Sequence, residues 1–500
     1  MRKIGGLDIG TTGCKLTIFD ENGKKLDQSY RDYPVSRTAG AHEIDAENIL
    51  SAVWEVIRDM TVYPDLAGIG VTSFGETFVL TDENGKPLHR AMLYTDPRGA
   101  EQCSALLEKK DGKEIAAITG LRPHEMYSLP KLMWIKENEP EVYKEARHCF
   151  LMEDFVVFAL TGTAQIDYSL AARSMAFDIR SLNWSQEMFD LADVDLGLMS
   201  KPVPTGTSAG HVKKSAAIET GLSGKTQIVS VSHDQIAAGV GAGVFDSDRA
   251  VDGAGTVQCL TVVYDDIPAP EAMVEGSYPV VPYVVPGKYV SYGFSYTGGA
   301  LMQWCVDTLA KKEKEEALRE GCSVNELLER SFADRMDTPS GLLVLPHFAG
   351  AATPYMDTGS KGAVLGLTTD SSVGDIYRAC MEGVVYEMRL NCDLLKKSGV
   401  HFNMLHATGG GAKSRVWMQM KADILNVPIT ALDTVDAGTV GSAMLTGTAV
   451  GCFADLTDAA AHMVKTKEVY FPREEMHEKY ESVYQKYRKL YDAVRPLMDG

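Results

Sequence analysis

The chain has 500 residues, too many for a single hydrophobic core, so we expect two or more domains. Its net charge of −19 argues against nucleic-acid binding, which needs a basic surface, and no apolar run is long enough to span a membrane. The nine cysteines contain no CxxC pair, which indicates reduced thiols in a cytoplasm and not a disulfide scaffold.

The N-terminal part of the chain predicts a strand meander with one helix. Residues 3–20 (KIGGLDIGTTGCKLTIFD) predict two strands joined by a glycine–threonine turn, and too few apolar residues precede Asp8 for a signal peptide. Residues 46–60 carry apolar side chains at helical spacing, whereas residues 66–74 (LAGIGVTSF) are typical of a buried strand. Strands and helices then alternate to about residue 243.

A second strand–turn–strand pattern begins at residue 248 (DRAVDGAGTVQCLTVVYDD) and resembles the first. Because it opens the second half of the chain, we expect two copies of one α/β domain, over residues 1–245 and 246–500, with a cleft between them. Residues 473–494 predict a charged helix on the outside of the second domain. The two hairpins agree at four of ten positions, pairing Asp8 with Asp252, Thr12 with Thr256, Leu16 with Leu260 and Thr17 with Thr261.

Three glycine-rich turns could cradle phosphate, because glycine lets backbone N–H groups approach the phosphate oxygens. They cover residues 10–13, 253–256 and 409–412, and each taken alone could also be an ordinary turn. The SGKT run at residues 223–226 lacks the first glycine of a Walker A loop, since Glu219 stands in its place. The GVGAGV run at residues 239–244 lacks the third glycine of a dinucleotide fingerprint.

Asp234 stands between a short apolar run and a glycine-rich stretch, SVSHDQIAAGVGAGV. An aspartate in this position is often a helix cap, because its side chain accepts hydrogen bonds from free backbone N–H groups. A carboxylate inside a cleft can also act as a general base. The residues around Asp234 leave both interpretations open.

Longer motifs resemble those of the FGGY family of carbohydrate kinases, and they occur in the same order along nearly the whole chain. Residues 126–138 (MYSLPKLMWIKEN) fit the first family signature, with Lys131 and Trp134 in place. Residues 362–383 fit the second signature and depart from it only at Cys380. Residues 407–429 (ATGGGAKSRVWMQMKADILNVPI) resemble the adenosine motif, and SHDQ resembles the segment with the catalytic aspartate.

The resemblance implies an α/β fold with two actin-like, ribonuclease H-like ATPase domains flanking a central cleft. It implies that Asp234 accepts a proton from the sugar hydroxyl that attacks ATP, and that Asp8 orients Mg²⁺ through water. ATP and Mg²⁺ are therefore the expected cofactors, and the lack of paired histidines agrees with a metal held mostly by water. The implied nucleotide contacts are Thr11, Thr12, Gly255, Thr256, Gly410, Gly411 and Ala412.

The expected substrate is a small neutral sugar or polyol, first of all a ketopentose such as xylulose. The predicted substrate-binding residues are Glu76, Asp96, Gln235 and Phe294. With Asp234, the first three form a polar, acidic pocket suited to sugar hydroxyls, whereas Phe294 could line the pocket or belong to the core. Gly75 replaces the arginine usual in glycerol kinases, and Ala351 and Ala352 replace the charged pair of a GERTP motif.

Several alternatives stay open. The substrate could be glycerol, ribulose, a hexulose or a sugar acid such as gluconate. A sugar-sensing protein on the same fold is the alternative without catalysis. No nucleic acid and no membrane is expected as a partner, and a homodimer is left open.

Overall fold

The computed structural model describes residues 2–38, 40–63, 66–267, 270–433 and 436–498. Two large mixed β-sheets carry the fold, a six-stranded sheet in the first half and a seven-stranded sheet in the second. Each begins with the antiparallel hairpin that the sequence repeat predicted. The register of the hairpins differs by one residue, because Asp8 faces Lys15 whereas Asp252 faces Leu260.

The first half contains strands β1–β15 and helices α1–α10. The strands are β1 Lys3–Ile9, β2 Gly13–Asp20, β3 Lys25–Asp32, β4 Val35–Arg37, β5 His42–Ile44, β6 Leu66–Ser73, β7 Phe78–Thr81, β8 Ala91–Met92, β9 His148–Leu151, β10 Gln165–Asp167, β11 Phe177–Asp178, β12 Asn183–Trp184, β13 Lys201–Val203, β14 Thr207–His211 and β15 Gln227–His233. The helices are α1 Ala46–Asp59, α2 Ala100–Lys109, α3 Gly112–Thr119, α4 Ser128–Asn138, α5 Pro140–Glu145, α6 Met152–Thr161, α7 Tyr168–Ala172, α8 Gln186–Ala192, α9 Lys214–Thr220 and α10 Asp234–Gly241.

The second half contains strands β16–β24 and helices α11–α20. The strands are β16 Arg249–Ala254, β17 Gln258–Tyr264, β18 Val281–Pro282, β19 Tyr289–Ser295, β20 Leu343–Leu345, β21 Ala363–Leu365, β22 Met404–Thr408, β23 Ile429–Leu432 and β24 Thr466–Tyr470. The helices are α11 Pro270–Glu275, α12 Gly299–Thr308, α13 Lys311–Glu320, α14 Val324–Arg330, α15 Val373–Lys397, α16 Arg415–Leu425, α17 Ala437–Ala449, α18 Leu456–Met463, α19 Glu474–Tyr487 and α20 Leu490–Val494.

The first sheet has the strand order β14-β15-β6-β1-β2-β3, with β1, β6 and β15 parallel to one another. These central strands are buried along most of their length, as expected for parallel strands covered on both faces. Their carboxyl ends are in register, since Ser73 pairs with both Ile9 and His233. The turns and loops that follow the three strands therefore lie at one edge of the sheet.

The second sheet has the order β18-β19-β17-β16-β22-β23-β24, with β16, β22 and β23 parallel. Gly253 of β16 pairs with Thr408 of β22, so the turns after these strands also share one edge. These are two of the three glycine turns found in the sequence. The fold thus brings the second and third turns together.

Helix α17 lies in the second half of the sequence but packs against the first sheet. A Cβ at Gly6 of β1 would overlap the backbone of Thr439, and one at Gly70 of β6 would overlap the side chain of Thr446. A Cβ at Gly441 would likewise overlap the carbonyl oxygen of Ala237 in α10. Glycines thus allow α17 to approach the sheet and α10 closely, and the division at residue 245 stays a prediction.

The C-terminal helix differs from its prediction. The helical pattern over residues 473–494 is interrupted, so that α19 and α20 form two separate helices. The α19 tyrosines are buried because they pack around Tyr386 of α15. This buried tyrosine face fixes the end of the chain to the second domain.

Candidate functional site

The edge of the first sheet gathers the acidic residues that the sequence singled out. Asp8 lies near the end of β1, Glu76 lies in the loop after β6, and Asp234 directly follows β15. Because neighbouring strands are about 4.8 Å apart, these three chain segments lie within roughly 10 Å of one another.

Asp234 is the first residue of α10, and the cap position belongs to His233, whose side chain makes no capping bond. The Asp234 side chain is 31% exposed, yet its Oδ1 is enclosed and accepts no aligned hydrogen bond from the described residues. Burial, then the charges of Asp8 and Glu76, raise the pKa of Asp234 to about 8, against smaller effects of the Gln235 N–H and Arg173. The helix-cap interpretation is therefore not supported, whereas a carboxylate with a raised pKa suits proton abstraction.

Glu76 is buried and makes an ion pair that sequence reasoning missed. Its carboxylate accepts hydrogen bonds from Nε of Arg173 at 2.6 Å and from Nη2 of the same guanidinium. The Glu76 backbone has a φ of +64°, in the left-handed region, and its carbonyl oxygen accepts from Ser128 Oγ at 2.7 Å. A direct contact of Glu76 with sugar stays a prediction.

Asp96 is fully buried, and its carboxylate is already used within the protein. It accepts hydrogen bonds from the backbone N–H of His42 and from the backbone and guanidinium of Arg98, at 2.6–2.9 Å. Although burial alone would raise the pKa of Asp96, the bonds from Arg98 hold it below its usual value. The geometry suits Asp96 for holding Arg98 in place, and its contact with sugar stays a prediction.

Residues 126–138, which fit the first family signature, support the loop that contains Asp96 and Arg98. Nζ of Lys131 is buried and donates to the carbonyl oxygens of Asp96 at 2.7 Å and of Glu125 at 2.8 Å. The guanidinium of Arg98 lies 5.1 Å from the ring centre of Trp134. The signature residues thus act through the backbone and side chains of the loop that borders the site.

Aromatic side chains from both halves of the chain line the space near Asp234. Burial and then the charge of Glu76 raise the pKa of Tyr94, which also lies close enough to feel Asp234 and Tyr296. Phe294 packs edge-on against Tyr296 with ring centres 5.6 Å apart, and the ring of Tyr292 lies 5.7 Å from that of His233. Gln235 is half-buried beside Asp234, and its contact with sugar, like that of Phe294, stays a prediction.

The second sheet edge carries a large cavity. It has a volume of about 1370 Å³, and its lining includes Gly255, Thr256, Gly410 and Gly411. Ala412, predicted with them, is buried outside this lining. Pockets for small molecules and cofactors typically measure about 300–1,000 Å³, so the cavity is large enough for a nucleotide.

Glycine is required where the two turns meet. A Cβ at Gly409, which has a φ of +87°, would lie 2.7 Å from the carbonyl oxygen of Ala254. A Cβ at Gly411 would lie 2.6 Å from the Trp417 ring, whereas no described atom lies within 4 Å of one at Gly410. The outer glycines therefore allow the turns to pack, and Gly410 presents its backbone to open space.

The first glycine turn lies at the edge of the first sheet, between β1 and β2. It is closed by a hydrogen bond from Gly10 N–H to the Gly13 carbonyl oxygen at 2.9 Å, with Thr11 half-buried and Thr12 exposed. Burial raises the pKa of Asp8 to about 6, with Lys15 lowering and Asp436 raising it. Lys15 and Asp436 themselves form an ion pair of 2.7 Å.

The repeat partner of Asp8 has a different role. Asp252 is fully buried and bonded to Nζ of Lys421 at 2.6 and 2.8 Å. Asp8 remains half-buried at the site, so the repeat places one aspartate in the second core and the other at the cleft. No group of three or more metal-binding side chains occurs in the described ranges.

The sequence matches two models of one family, described as the N-terminal domain of the FGGY family of carbohydrate kinases over residues 3–241 and its C-terminal domain over residues 253–450. The chain belongs to the FGGY family of carbohydrate kinases. The prediction of a carbohydrate kinase is thereby confirmed, together with an α/β fold of two actin-like domains.

Similar proteins cover nearly the full length of this FGGY kinase. A xylulose kinase of Bacillus subtilis is 26% identical, with 96% of this chain and 95% of the relative covered. A glycerol kinase of Halorhodospira halophila is 29% identical, covering 96% and 94%. The crystal structure of a gluconate kinase from Lactobacillus acidophilus superposes with a TM-score of 0.87 at 25% identity, covering 99% and 98%.

Within the described ranges, no helix of this FGGY kinase has the length and apolarity to cross a membrane. The site residues that sequence reasoning did not select are Arg173, His233 and Tyr94. Arg173 had one signal, because it is a lone charge in the apolar run LAARSMAF, residues 170–177. His233 and Tyr94 carry no comparable signal, since their role follows only from spatial position.

Proposed function

We propose that this FGGY kinase transfers the terminal phosphoryl group of ATP to a hydroxyl of a small neutral sugar, with Mg²⁺ as the metal. The carboxylate of Asp234 carries the proposal, because its Oδ1 accepts no hydrogen bond from the described residues and its pKa is raised. Phosphoryl transfer needs positioned reactants and a residue that takes the hydroxyl proton. Asp234 is suited to that task.

The sugar is proposed to lie at the edge of the first sheet. Glu76, Tyr94 and Gln235 lie near Asp234 and would offer groups that bind hydroxyls. Arg173 lies against Glu76 and offsets its charge. Because the charge of Glu76 is already paired, the site supports a neutral ligand, since a charged ligand would be left unpaired when buried.

The nucleotide is proposed to lie in the cavity at the second sheet edge. Backbone N–H groups of the turns at Gly255 and Gly410 would hold the phosphates, as glycine-rich turns commonly do. Thr11 and Thr12 would contact the terminal phosphate from the opposite side. The chain would accordingly divide into a sugar-binding domain over residues 1–245 and a nucleotide-binding domain over residues 246–500.

Asp8 fits a magnesium ion held mainly by water and phosphate. Its half-buried carboxylate has a pKa raised to about 6, partly by Asp436, so a nearby cation would stabilise its charged form. Mg²⁺ usually binds one or two carboxylates together with substrate phosphates and water. When bound, the ion would supply positive charge that offsets the charge of the transferred phosphoryl group.

Among neutral sugars we propose a ketopentose such as xylulose, on the basis of similarity to a xylulose kinase over the full length. Glycerol and other polyols are the nearest alternatives. A sugar acid is a second candidate, because the exposed Arg37 lies close enough to Tyr94 to lower its pKa and could pair with a carboxylate at the site entrance.

The deciding experiment measures ADP release with Mg-ATP across ketoses, polyols and sugar acids. A neutral ketopentose is expected to give the highest kcat/KM. If a sugar acid is preferred instead, Arg37→Gln should raise its KM and leave the KM of neutral sugars unchanged. Lack of stimulation by every compound in the panel would contradict the kinase proposal for this chain.

A further inference from the structure

His233 directly precedes Asp234 and contacts its carboxylate. The imidazole Nε2 lies 3.2 Å from Asp234 Oδ1, within hydrogen-bond distance, although the N–H direction is not aligned in this conformation. Catalytic hydrogen bonds are often poorly aligned before substrate binds and improve in the substrate complex. The contact therefore defines a pair of groups that can form a hydrogen bond after a small rotation.

The surroundings of His233 keep its ring beside Asp234. The His233 side chain is only 8% exposed, and its ring lies 5.7 Å from the ring of Tyr292. Its backbone N–H donates to Ser169 Oγ at 2.9 Å. A Cβ at Gly75 would lie 3.2 Å from the His233 ring, so the glycine leaves just enough room for it.

The charge state of His233 follows from its position. Burial, and then the positive charge of Arg173, lower the pKa of His233 well below its usual value, so the ring is neutral and carries one N–H. Nδ1 is enclosed and has no hydrogen-bond partner among the described residues. A proton on Nδ1 would be an unpaired buried donor and would turn the Nε2 lone pair toward the carboxylate. The proton therefore belongs on Nε2.

We infer that His233 is a positioning residue that donates its Nε2 hydrogen to Asp234 Oδ1 and leaves Oδ2 free for the substrate hydroxyl. This inference rests on the proposed function. In the reaction the hydroxyl O–H bond breaks and its proton passes to Oδ2. The oxygen then bonds to the terminal phosphorus of ATP, and the bond from that phosphorus to the bridging oxygen breaks to release ADP. His233 keeps its proton throughout.

Two amide variants separate positioning from packing. In His233→Gln the amide nitrogen reaches about as far as Nε2, whereas in His233→Asn it reaches only as far as Nδ1. His233→Asn and His233→Ala are expected to lower kcat about ten- to hundred-fold, with the KM for ATP changed less than about twofold. His233→Gln is expected to retain kcat within about fivefold. Equal losses in all three variants, or no loss in any, would overturn the inference.

A second readout does not depend on turnover. The pKa of Asp234 can be followed by carbon-13 NMR of labelled aspartate, with Asp234→Asn used to assign the signal. It is expected to be higher in His233→Asn than in the unaltered chain and unchanged in His233→Gln, since one donor to the carboxylate is lost only in the former. An equal pKa in all three would overturn the inference, whether or not any sugar is phosphorylated.

The other groups that face Asp234 are the same in these variants, so they cannot cause such a difference. They are Asp8, Glu76, Tyr94, Arg173, Cys259 and Tyr292.

Discussion

Arg173 and Glu76, 97 residues apart in the sequence, form a buried ion pair at the edge of the first sheet. The guanidinium also lies 5.3 Å from the ring centre of Tyr127, and its Nη1 is enclosed with no hydrogen-bond partner among the described residues. Because Glu76 raises the pKa of Asp234 and Arg173 lowers it, the pair sets the electrostatic environment of the proposed base.

Glu76→Ala is expected to destabilise the protein as well as weaken sugar binding. Removing one partner of a buried ion pair leaves the other charge uncompensated, which typically costs about 3–5 kcal/mol. The melting temperature of the variant should therefore fall, and its sugar KM should rise with little change in the KM for ATP. The double variant Glu76→Ala/Arg173→Met should lose less stability. Equal melting temperatures for the single variant and the unaltered chain would contradict the role of the pair.

Asp234→Asn is expected to stabilise the fold increasingly as the pH rises. The folded chain holds the Asp234 proton up to a pKa of about 8, whereas the unfolded chain releases it near 3.8. Between these values the unfolded state binds fewer protons, so Asp234 makes the free energy of unfolding fall with rising pH. Asparagine does not titrate, and the melting-temperature gain should therefore grow from pH 5 to about pH 8. A gain that is constant over this range would contradict the raised pKa.

Two neighbouring glycines should respond differently to alanine. In Gly410→Ala the new methyl group enters open space in the cavity, so the KM for ATP should rise roughly tenfold with the melting temperature unchanged. In Gly411→Ala the methyl group meets Trp417 and Ala254, so the melting temperature should fall by several degrees. A lower melting temperature in the first variant would show that Gly410 serves packing and not nucleotide binding.

The crossing of α10 and α17 can be tested with two glycines of one helix. Gly441→Ala places a Cβ on the carbonyl oxygen of Ala237, which should force the helices apart and lower the melting temperature by several degrees. Gly438→Ala meets only the carboxylates of Asp8 and Asp436, at ordinary contact distances of 3.5 and 4.0 Å. Because alanine favours helix over glycine, this control should keep or raise the melting temperature. Similar losses in both variants would argue against a close crossing.

The fold could be predicted where local patterns determine it. The glycine turns, the buried strands and the repeated hairpin are all visible in the sequence, since turn chemistry and burial act over a few residues. The return of α17 to the first sheet was not predicted, although its small residues (AGTVGSAMLTGTA) are a usable signal for close packing. The burial of the α19 tyrosines was also missed, because its many charged residues suggested an exposed helix.

The candidate site could be predicted only in part. Asp234 and the glycine turns lie in short sequence motifs, which can be recognised without knowledge of the tertiary structure. The ion pair of Glu76 with Arg173 and the contact of Asp96 with His42 join residues that are far apart in sequence. Such pairings depend on the tertiary structure. A sequence pattern can therefore identify the carboxylate, but not the group elsewhere in the protein that forms a hydrogen bond with it.

The most direct test of the account is the kcat of Asp234→Asn with the best sugar of the substrate panel. Asparagine is nearly the same size but cannot accept the hydroxyl proton, so kcat should fall about 10²- to 10⁴-fold. Sugar binding and the fold, followed by binding titration and by melting temperature, should be retained. A folded variant that binds sugar and turns over at a near-normal rate would contradict the assignment of Asp234 as the base.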